Sequence, residues 1–560
     1  MELKLRDASV KTVEDVVKKN FGVEDIKDIE GKSSYRIDGL QKAADMIKEA
    51  ISKKQLITIV GDYDADGVTS SSIMYYTLSY LGAIVRVRIP KRLSEGFGLN
   101  MNIIDEIDSG LVITVDNGIV AFDPIKKAKE LGLSVIVTDH HLPAEDGTLP
   151  EADLIIDPHL PGTADFEDYC GAGIAFRLAK ELVNDETVIN KMSAFAAIGT
   201  IADVMPLVEE NRQIVKMGLK NMTTYGCRTS GLYSVLKAVD MDKNLSATDV
   251  AFKIGPMINA VGRLFDDGAK IAFESLVYDD KFDESIGTKL NEYNELRKKK
   301  VEDGVKAVEK NIKDNCLFGD VPLIVYEPSI EEGIVGIIAG KLAEKNNVPS
   351  FVFTNSEEPG IYKGSGRTGG QVHLKDLLDS CAETVYKYGG HAEAAGVSVE
   401  ASKFSEFCEK MQENCPELVI EEENSICYYD LEINASDIKA TVEELKKYEP
   451  YGQGNPKPVF YIKNFQMSPR YGSLYKTLGK NGEHLKLFGI GCSAIGFGMV
   501  EEYHTLGDPN KLDLVGVISE NYFMGKADIQ VEIQAMDSAL TAFSKSILAE
   551  TLETMAKTRY

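Results

Sequence analysis

The stretch "QLITIVGDYDADGVTSSSIMYYTLSYLG", residues 55–82, places an apolar run, an acidic turn and a second regular segment in direct succession. The apolar run predicts a buried strand, and residues 67–82 predict a helix. Three aspartates occupy alternate positions between the two: Asp62, Asp64 and Asp66. Like charges at this spacing repel one another, so the stretch predicts a site where another group offsets their charge.

The order of apolar strand, polar turn and helix recurs downstream. The runs "IVRVRIP", "GLVITVDNG", "LSVIVTDHH" and "ADLIIDPH" read as strands, and segments such as "PIKKAKELG" between them read as helices. This alternation predicts an α/β fold with a doubly wound parallel sheet, in which ligands bind beyond the carboxyl ends of the strands. Asp116 and the run Asp139–His141 end two of these strands. Asp157 and His159 end another, and we interpret that pair as structural rather than catalytic.

The rest of the chain divides by pattern into further segments. Residues 321–327 open a second α/β stretch, residues 417–425 form an acidic linker, and short strands with Gly/Asn turns follow, which predicts a small β-barrel. The expected segments are a helical lead-in (1–54), a catalytic α/β domain (55–220), a helical connector (221–315), a second α/β domain (316–416), a β-barrel domain (426–540) and a C-terminal helix (541–560).

Length and composition narrow the class of protein. The chain has 560 residues, 44% of them apolar, which predicts several domains with real cores. The charged start lacks the apolar centre of a signal peptide, and no apolar run approaches a membrane span. The eight cysteines include no CxxC pair, which argues against a zinc ribbon or a disulfide framework. We therefore expect a cytoplasmic protein with no membrane association.

The net charge of −26 taken alone does not favour a nucleic-acid binder, because phosphate contacts need Lys and Arg. Net charge is an average, however, and a basic groove can lie on an acidic body. The basic run "RVRIPKR" (86–92) follows a predicted strand near the acidic site and is a candidate lining of a DNA path. The run "RKKK" (297–300) is interpreted as a solvated helix face.

The three alternating aspartates allow more than one interpretation. A calcium-binding EF-hand loop is excluded, because its twelfth position requires Glu where Ile73 stands and a helix must precede it. A solvated acidic turn remains open. In an extended stretch alternate side chains point the same way, so the carboxylates could face one pocket. Asp116, His140 and Asp203 would then complete an oxygen and nitrogen ligand set for two divalent ions.

Each of the added ligands also has a plainer interpretation. Asp116 stands before Asn-Gly and is a candidate turn former. His140 and His141 could cap a helix, and Asp203 could end one before Pro206.

The ordered motifs "GDYDADG", "TVDNG", "TDHH" and "GTIADVMPL" resemble those of the DHH phosphoesterase superfamily. Within it, "CGAGIAFRLA", "IGPMINAVGRL", "EEGIVGIIAGKLAE", "GSGRTGG", "YGGHAEAAG" and "YEPYGQGNPKPVF" resemble segments of the RecJ family. The resemblance covers roughly residues 55 to 535. It implies a DHH catalytic domain, a DHH-associated domain and an oligonucleotide-binding (OB) domain.

The resemblance also implies a function. It predicts a metal-dependent 5′→3′ exonuclease that hydrolyses single-stranded DNA to 5′-mononucleotides by a two-metal-ion mechanism, in DNA repair and recombination. The cofactors would be two ions of Mn²⁺ or Mg²⁺. Single-stranded DNA would be the partner, with a single-strand-binding protein or a helicase as further candidates. The alternatives are an oligonucleotide or cyclic-dinucleotide phosphodiesterase and a non-catalytic scaffold of replication proteins.

The resemblance assigns roles to individual residues. It implies Asp116 as the ligand shared by two ions, with Asp64 on one ion and Asp66, His140 and Asp203 on the other. Asp62 is a further metal ligand in this interpretation. The catalytic set is Asp62, Asp64, Asp66, Asp116, Asp139, His140, His141 and Asp203.

Other residues are implied to contact the substrate. His141 would contact the scissile phosphate, and Asp139 would orient the histidine pair. Arg263 and Arg367 are candidate phosphate contacts, since guanidinium groups bind phosphate bidentately. Met257 stands where the family pattern has Arg. The set of implied substrate-binding residues is His141, Arg263, Arg367, Gly389, Gly390 and His391.

Overall fold

The computed structural model describes residues 2–370, 372–418, 426–470, 472–523 and 526–538. These residues form two compact units. The predicted C-terminal helix, residues 541–560, lies outside the described residues. Among the described residues, no helix is long and apolar enough to cross a membrane.

Residues 1–54, expected from sequence to be a helical lead-in, contain mainly helices but begin with a strand. Residues 1–33 belong to the smaller unit, and the residues that follow belong to the larger one. The first element is a strand, because residues 2–5 pair in parallel with Ile426–Tyr429 near the other end of the described chain. The elements are β1 (Glu2–Leu5), α1 (Val13–Phe21), a 3₁₀ helix (Ile26–Glu30) and α2 (Leu40–Ser52).

The larger unit, residues 34–205 and 217–420, contains the sheet predicted by the opening stretch. Its strands are β2 (Leu56–Val60), β3 (Ile84–Arg88), β4 (Leu111–Val115), β5 (Ser134–Thr138) and β6 (Leu154–Ile156). They pair in the order β3-β2-β4-β5-β6, and every pair is parallel. The helices between them are α3 (Ala65–Tyr80), α4 (Met101–Asp105) and α5 (Phe122–Glu130). The predicted doubly wound parallel sheet is confirmed, and its carboxyl ends lie at one edge.

A run of helices follows this sheet. They are α6 (Gly171–Leu182), α7 (Glu186–Ala202), α8 (Glu209–Thr223), α9 (Ser230–Ala238), α10 (Ala247–Asp249), α11 (Gly255–Leu264), α12 (Gly268–Val277) and α13 (Glu284–Asp314). A π-helical turn, Val250–Ile254, precedes α11. Helices α6 and α7 pack against α3, which buries most of its residues. This packing places the start of α6 and the end of α7 beside the first acidic turn.

The second α/β region forms a separate sheet within the larger unit. Its elements are β7 (Leu323–Tyr326), α14 (Val335–Asn346), β8 (Ser350–Asn355), β9 (Ile361–Arg367), α15 (Leu374–Asp379), β10 (Lys387–Gly390), β11 (Ala394–Glu400) and α16 (Phe404–Asn414). The strand order is β10-β11-β9-β8-β7, with β7 and β8 parallel and the other pairs antiparallel. Helix α14 packs on β8 and β9, so the end of β9 lies near the start of that helix.

The smaller unit comprises residues 1–33, residues 206–216 and the described residues from 426 onward. Its later elements are β12 (Ile426–Tyr429), β13 (Leu431–Asn434), α17 (Ile438–Leu445), β14 (Val459–Gln466), β15 (Tyr475–Leu478), β16 (His484–Phe488), β17 (Ser493–Gly496), α18 (Val500–Thr505), β18 (Lys511–Phe523) and β19 (Lys526–Ser538). Seven strands form one sheet in the order β13-β14-β18-β19-β17-β16-β15. Strand β1 pairs in parallel with β12. The predicted C-terminal β domain is confirmed.

Candidate metal centre

The first acidic turn connects β2 to α3. Asp64 caps α3, and its Oδ1 accepts the backbone N–H groups of Asp66 and Gly67 at 3.0 Å each. The helix starts at Ala65, two residues before the predicted start at residue 67, because this cap satisfies the first free N–H groups. The three aspartates are therefore not one extended row. Asp62 and Asp64 lie before the helix, and Asp66 lies in its first turn.

Asp116 follows β4 and is the central carboxylate of the site. Its backbone adopts a left-handed conformation with φ of 64°, which Asp tolerates better than most residues. The side chain is 2% exposed, and Oδ1 has no hydrogen-bond partner within the described chain. Burial, together with the nearby carboxylates led by Asp66, raises the pKa of Asp116 well above its usual value. Asp116 thus forms a turn after β4, as its plain interpretation expected, and its buried side chain also faces the other carboxylates.

His140 follows β5 and meets carboxylates from three segments. Its Nε2 lies 3.1 Å from Oδ1 of Asp116, 3.6 Å from Oδ2 of Asp203 and 3.8 Å from Oδ2 of Asp66. Burial lowers the pKa of His140, which favours the neutral imidazole that a metal ion requires. In the described chain the element that follows β5 is the strand β6, so no helix begins or ends at the histidine pair and its interpretation as a helix cap is wrong.

Asp66 and Asp203 are brought to His140 by the helices packed on α3. The carboxylate of Asp66 accepts the backbone N–H groups of Gly171 at 2.6 Å and Ala172 at 2.9 Å, at the start of α6. A Cβ at Gly171 would lie 2.4 Å from the Cβ of Asp116, so only glycine allows this approach. Asp203 follows the last residue of α7, and burial and the charge of Asp66 raise its pKa to about 8. Asp203 thus ends a helix, as one plain interpretation expected, and also faces the cluster.

Asp139 and His141 form a pair beside these groups. His141 Nδ1 lies 2.7 Å from Oδ1 of Asp139, and Asp139 also accepts backbone N–H groups from His140 at 2.8 Å and Ile119 at 2.9 Å. Burial opposes charge on His141, but the bond to Asp139 prevails and raises its pKa to about 9. The bond to Asp139 thus favours the protonated imidazole of His141 and fixes the orientation of its ring.

The geometry fits a pair of divalent cations that share a ligand. Possible ligand atoms lie within 4.8 Å of one another in three groups: Asp62, Asp64 and Asp116; Asp66, His140 and Asp203; Asp116, His140 and His141. Burial and mutual repulsion raise the pKa values of Asp62 and Asp64, so the free carboxylates are held in an unfavourable state that cations would relieve. Oxygen ligands with one imidazole suit Mn²⁺ and Mg²⁺. We call the five carboxylates of these groups, together with His140, the carboxylate cluster: Asp62, Asp64, Asp66, Asp116, His140 and Asp203.

A second set of charged side chains adjoins this cluster. We call it the arginine cluster: Arg92, Arg263, Arg297 and Arg367. The guanidinium of Arg92 lies 4.4 Å from the centre of the Tyr63 ring. Tyr63 itself lies between Asp62 and Asp64 in the sequence. Burial and the neighbouring guanidinium groups lower the pKa of Arg263 to about 9. Within the described ranges, no carboxylate forms an ion pair with any of the four.

Protein carbonyls and hydroxyls hold the arginine cluster in place. Arg263 donates to the carbonyl of Gly333 at 3.3 Å, and Arg367 donates to Ser365 Oγ at 2.8 Å and to the carbonyl of Gly366 at 2.7 Å. A Cβ at Gly336, in the first turn of α14, would lie 2.9 Å from Nη2 of Arg367. Among the described residues no ion pair offsets these four positive charges, so the cluster is suited to phosphate.

The sequence identified half of this cluster as phosphate contacts. Arg263 and Arg367 were predicted to bind phosphate, and Arg92 lies in the run expected to line a DNA path. Arg297 was assigned to a solvated helix face, and that assignment is wrong because Arg297 is half-buried and burial lowers its pKa. Met257 is fully buried in α11, so it contributes to packing where the family pattern has Arg.

The remaining predicted substrate-binding residues lie on the hairpin formed by β10 and β11. Gly389 and Gly390 end β10, and the exposed His391 follows them, with its N–H bonded to the carbonyl of Ala394 at 2.8 Å. Ala394 pairs with Arg367, so this hairpin lies at the same end of the sheet as the arginine cluster. In the part of the chain that the structure describes, no contact joins His391 to either cluster. Its role in substrate binding stays a prediction.

Asp157 and His159 end β6, the neighbour of β5. Asp157 Oδ1 accepts the N–H of His159 at 2.9 Å, and burial raises the pKa of Asp157 to about 7. Neither residue belongs to a ligand group among the described residues. This placement agrees with the structural interpretation of the pair.

Comparisons with known proteins match all three parts of the chain. The profile of the DHH family N-terminal domain matches residues 56–200, that of the DHHA1 domain matches residues 320–417, and that of the RecJ OB domain matches residues 429–535. The three matches follow the order expected from the sequence motifs.

Curated proteins and solved structures give the same result. The chain is 31% identical to the single-stranded-DNA-specific exonuclease RecJ of Haemophilus influenzae, covering 89% of this chain and 90% of that protein. It is 33% identical to the RecJ of Bacillus subtilis over 91% of this chain, and spans 64% of that longer relative. The structure is similar to that of Thermus thermophilus RecJ in complex with Mn²⁺, with a TM-score of 0.76 and 27% identity over 96% of this chain and 79% of that one. The chain therefore belongs to the RecJ family of single-stranded-DNA-specific exonucleases.

Proposed function

We propose that this chain is a divalent-metal-dependent exonuclease that hydrolyses single-stranded DNA from the 5′ end to 5′-mononucleotides, in DNA repair and recombination. The observation that carries the proposal is the carboxylate cluster, in which Asp116 belongs to a ligand group with Asp62 and Asp64 and to another with His140. Its relatives are named as single-stranded-DNA-specific exonucleases. The Thermus thermophilus relative was solved with Mn²⁺ and also with Mg²⁺.

The ligand assignment is part of the proposal. Asp62 and Asp64 would hold one ion, Asp66, His140 and Asp203 would hold the other, and Asp116 would serve both. Bound divalent ions would lower the pKa of a water molecule and stabilise the charge that develops at phosphorus. The chain itself keeps the ligands in place through the α3 cap, the start of α6 and the end of α7.

His141 contributes a charge of its own. The bond to Asp139 raises the pKa of His141 and so favours its protonated imidazole. A cation at this position can donate a hydrogen bond to a phosphate oxygen as negative charge builds up there. Asp139 would remain ionised and hold the ring in one orientation, since its carboxylate also accepts three backbone N–H groups.

The arginine cluster accounts for attack at a chain end. Four guanidinium groups beside the carboxylate cluster match a terminal phosphate better than an internal one, because the terminal group carries more negative charge and has more free oxygens. We therefore propose that Arg92, Arg263, Arg297 and Arg367 bind the 5′-phosphate of the strand. Gly389, Gly390 and His391 are proposed to extend this binding site from the neighbouring hairpin.

Two other functions were compatible with the sequence. A phosphodiesterase for oligonucleotides or cyclic dinucleotides would share the metal centre but does not explain the RecJ OB domain at residues 429–535. A non-catalytic scaffold would have no need of five further ligand side chains gathered around Asp116. We further propose a cytoplasmic location and an association with a single-strand-binding protein or a helicase, either of which would supply single strands.

The test is digestion of 5′-end-labelled DNA. Single-stranded and duplex substrates are incubated with Mn²⁺, with Mg²⁺ and with EDTA, and Asp116→Ala is run beside the wild type. The proposal expects labelled mononucleotide from single strands, only with metal and only with the wild type. Cleavage of dinucleotides but not of long strands would mean that the substrate is a short oligonucleotide instead of single-stranded DNA. No cleavage with either metal would favour the scaffold.

A further inference from the structure

The backbone N–H of Ala65 is held by a side chain from a distant part of the chain. Ala65 lies between Asp64 and Asp66 and is the first residue of α3, where helix geometry leaves N–H groups without a partner. Asp64 satisfies the next two N–H groups but not this one. The N–H of Ala65 instead donates to Oδ1 of Asn259 at 2.8 Å, a contact across 194 residues of sequence.

Asn259 is carried by α11, which is packed tightly from several sides. A Cβ at Gly262 would lie 3.4 Å from the carbonyl oxygen of Tyr63, so the helix backbone runs close to the acidic turn. A Cβ at Gly333 would lie 2.0 Å from the carbonyl oxygen of Arg263, so the start of the Glu332–Ile334 turn is pressed against the end of α11. Helix α11 also contacts α3 and α7. Asn259 is therefore presented from a fixed position.

The acidic turn needs a stabilising contact of this kind because its carboxylates repel one another. Burial, followed by the charge of a neighbouring aspartate, raises the pKa values of both Asp62 and Asp64. Asp64 also uses one oxygen to cap the helix, so its ligand geometry depends on where the backbone of residues 64–66 lies. The Asn259 bond is attached to the middle residue of that segment. Metal ligands must be placed to within about half an ångström for full effect. One bond to Ala65 therefore affects the positions of both of its neighbours, Asp64 and Asp66.

We propose that Asn259 is a positioning residue of the metal centre: by accepting the N–H of Ala65, it holds Asp64 and Asp66 in ligating positions and raises the affinity for divalent metal. The proposal rests on the metal-dependent function proposed above. It does not place Asn259 in contact with the ion or the substrate.

Two substitutions separate the oxygen acceptor from the rest of the side chain. Asn259→Ala removes the acceptor and leaves the Ala65 N–H without it, which is expected to weaken Mn²⁺ binding about tenfold. Asn259→Asp keeps an oxygen at the same place, and its added negative charge favours rather than opposes a cation. Its affinity is expected to stay within about threefold of the wild type or to exceed it.

Asn221 offers a matched control. It is a buried asparagine whose Nδ2 bonds to Asn190 Oδ1 at 3.1 Å and to Ser193 Oγ at 2.9 Å. Asn190 lies about 20 Å along α7 from Asp203, given the rise of an α-helix. Asn221→Ala should lower the thermal stability of the protein and leave Mn²⁺ affinity unchanged.

The experiment is titration of Mn²⁺ into the EDTA-treated full chain, followed by calorimetry, with thermal unfolding of every variant. Weaker binding by Asn259→Ala, with binding preserved in Asn259→Asp and Asn221→Ala, supports the proposal. Equal affinity in Asn259→Ala and the wild type would overturn it, as would equal losses in Asn259→Ala and Asn259→Asp. A wild type that binds no Mn²⁺ would instead contradict the proposed function.

A second measurement applies if Asn259→Ala does not fold. Asn259→Ser keeps a shorter acceptor, and hydrogen–deuterium exchange reports on the peptide that contains residues 63–67. The proposal expects faster exchange and weaker Mn²⁺ binding together in Asn259→Ser. Normal exchange and normal affinity in that variant would overturn it.

Discussion

The carboxylate cluster and the arginine cluster lie side by side in one unit and concentrate opposite charges by different means. The carboxylates come from loops at strand ends and a helix end, and backbone N–H groups of α3 and α6 orient them. The arginines come from a loop, two helices and the end of a strand, and carbonyl and hydroxyl oxygens hold them. Tyr63 adjoins both, since it separates two of the aspartates and lies beneath Arg92. The first cluster is built to receive cations and the second to receive an anion, and a nucleic-acid end on a metal centre supplies both.

Removal of the shared ligand should have the largest effect. Asp116→Asn keeps the size of the side chain but removes the charge that both ligand groups use. We expect the activation free energy to rise by several kcal/mol, which lowers kcat on the order of 10³-fold or more. Single-turnover digestion of single-stranded DNA measures this loss. A fall of less than tenfold would mean that the carboxylate cluster is not the catalytic one.

Removal of one arginine should act on end recognition instead. Arg367→Ala is expected to lower kcat/KM for 5′-phosphorylated strands about 10- to 100-fold, the value of one charge-assisted contact. The loss should be much smaller for strands with a 5′-hydroxyl, which lack the terminal phosphate. Arg36→Ala is the control, because Arg36 is exposed and paired with Asp38 and Asp165. Equal losses of kcat/KM on both substrates would mean that the arginine cluster does not bind the 5′-phosphate.

The extent to which metal ions stabilise the folded protein should depend on pH, because the carboxylate cluster repels itself when it is ionised. Burial raises the pKa of Asp203 to about 8, above its unfolded value, so the metal-free protein loses stability as pH rises from about 4 to 8. Bound cations remove this penalty. The rise in Tm on addition of Mn²⁺ should therefore be larger at pH 8 than at pH 6, as measured by thermal unfolding. An equal rise at both pH values would contradict the repulsion inferred for the cluster.

The smallest effect concerns backbone strain beside the carboxylate cluster. Val204 follows Asp203 with φ of 58°, a left-handed conformation that costs a β-branched residue about 1–2 kcal/mol. Its side chain is 66% exposed, so little packing is lost on its removal. Val204→Gly should stabilise the metal-free protein by about 1 kcal/mol in urea unfolding. Destabilisation would show that the left-handed turn is not strained.

The two clusters also differ in how far the sequence predicted them. The carboxylates lie in short motifs at strand ends, and the parallel sheet brings such ends together, so their gathering could be predicted from "GDYDADG", "TVDNG" and "TDHH". The start of α3 could not, because the capping role of Asp64 depends on a side-chain rotamer. The arginines come from four separate segments, and nothing local in "RKKK" distinguishes the half-buried Arg297 from its solvated neighbours. The Ala65–Asn259 bond has no local signal either, since it joins segments 194 residues apart.

The N-terminus shows the same limit in the smaller unit. Charged residues around "ELKL" favoured a helical interpretation, but β1 pairs with β12 more than 400 residues later. Partners this distant are decided by tertiary packing, which overrides weak local preference.

The most direct test of the central claim is the number of Mn²⁺ ions that the carboxylate cluster binds. Equilibrium dialysis of the wild type and Asp116→Asn, with metal counted by mass spectrometry, gives this stoichiometry. The account predicts two ions per wild-type chain and a loss of tight binding at both positions in Asp116→Asn. One ion per chain, or two ions retained by Asp116→Asn, would contradict a centre built on a shared Asp116.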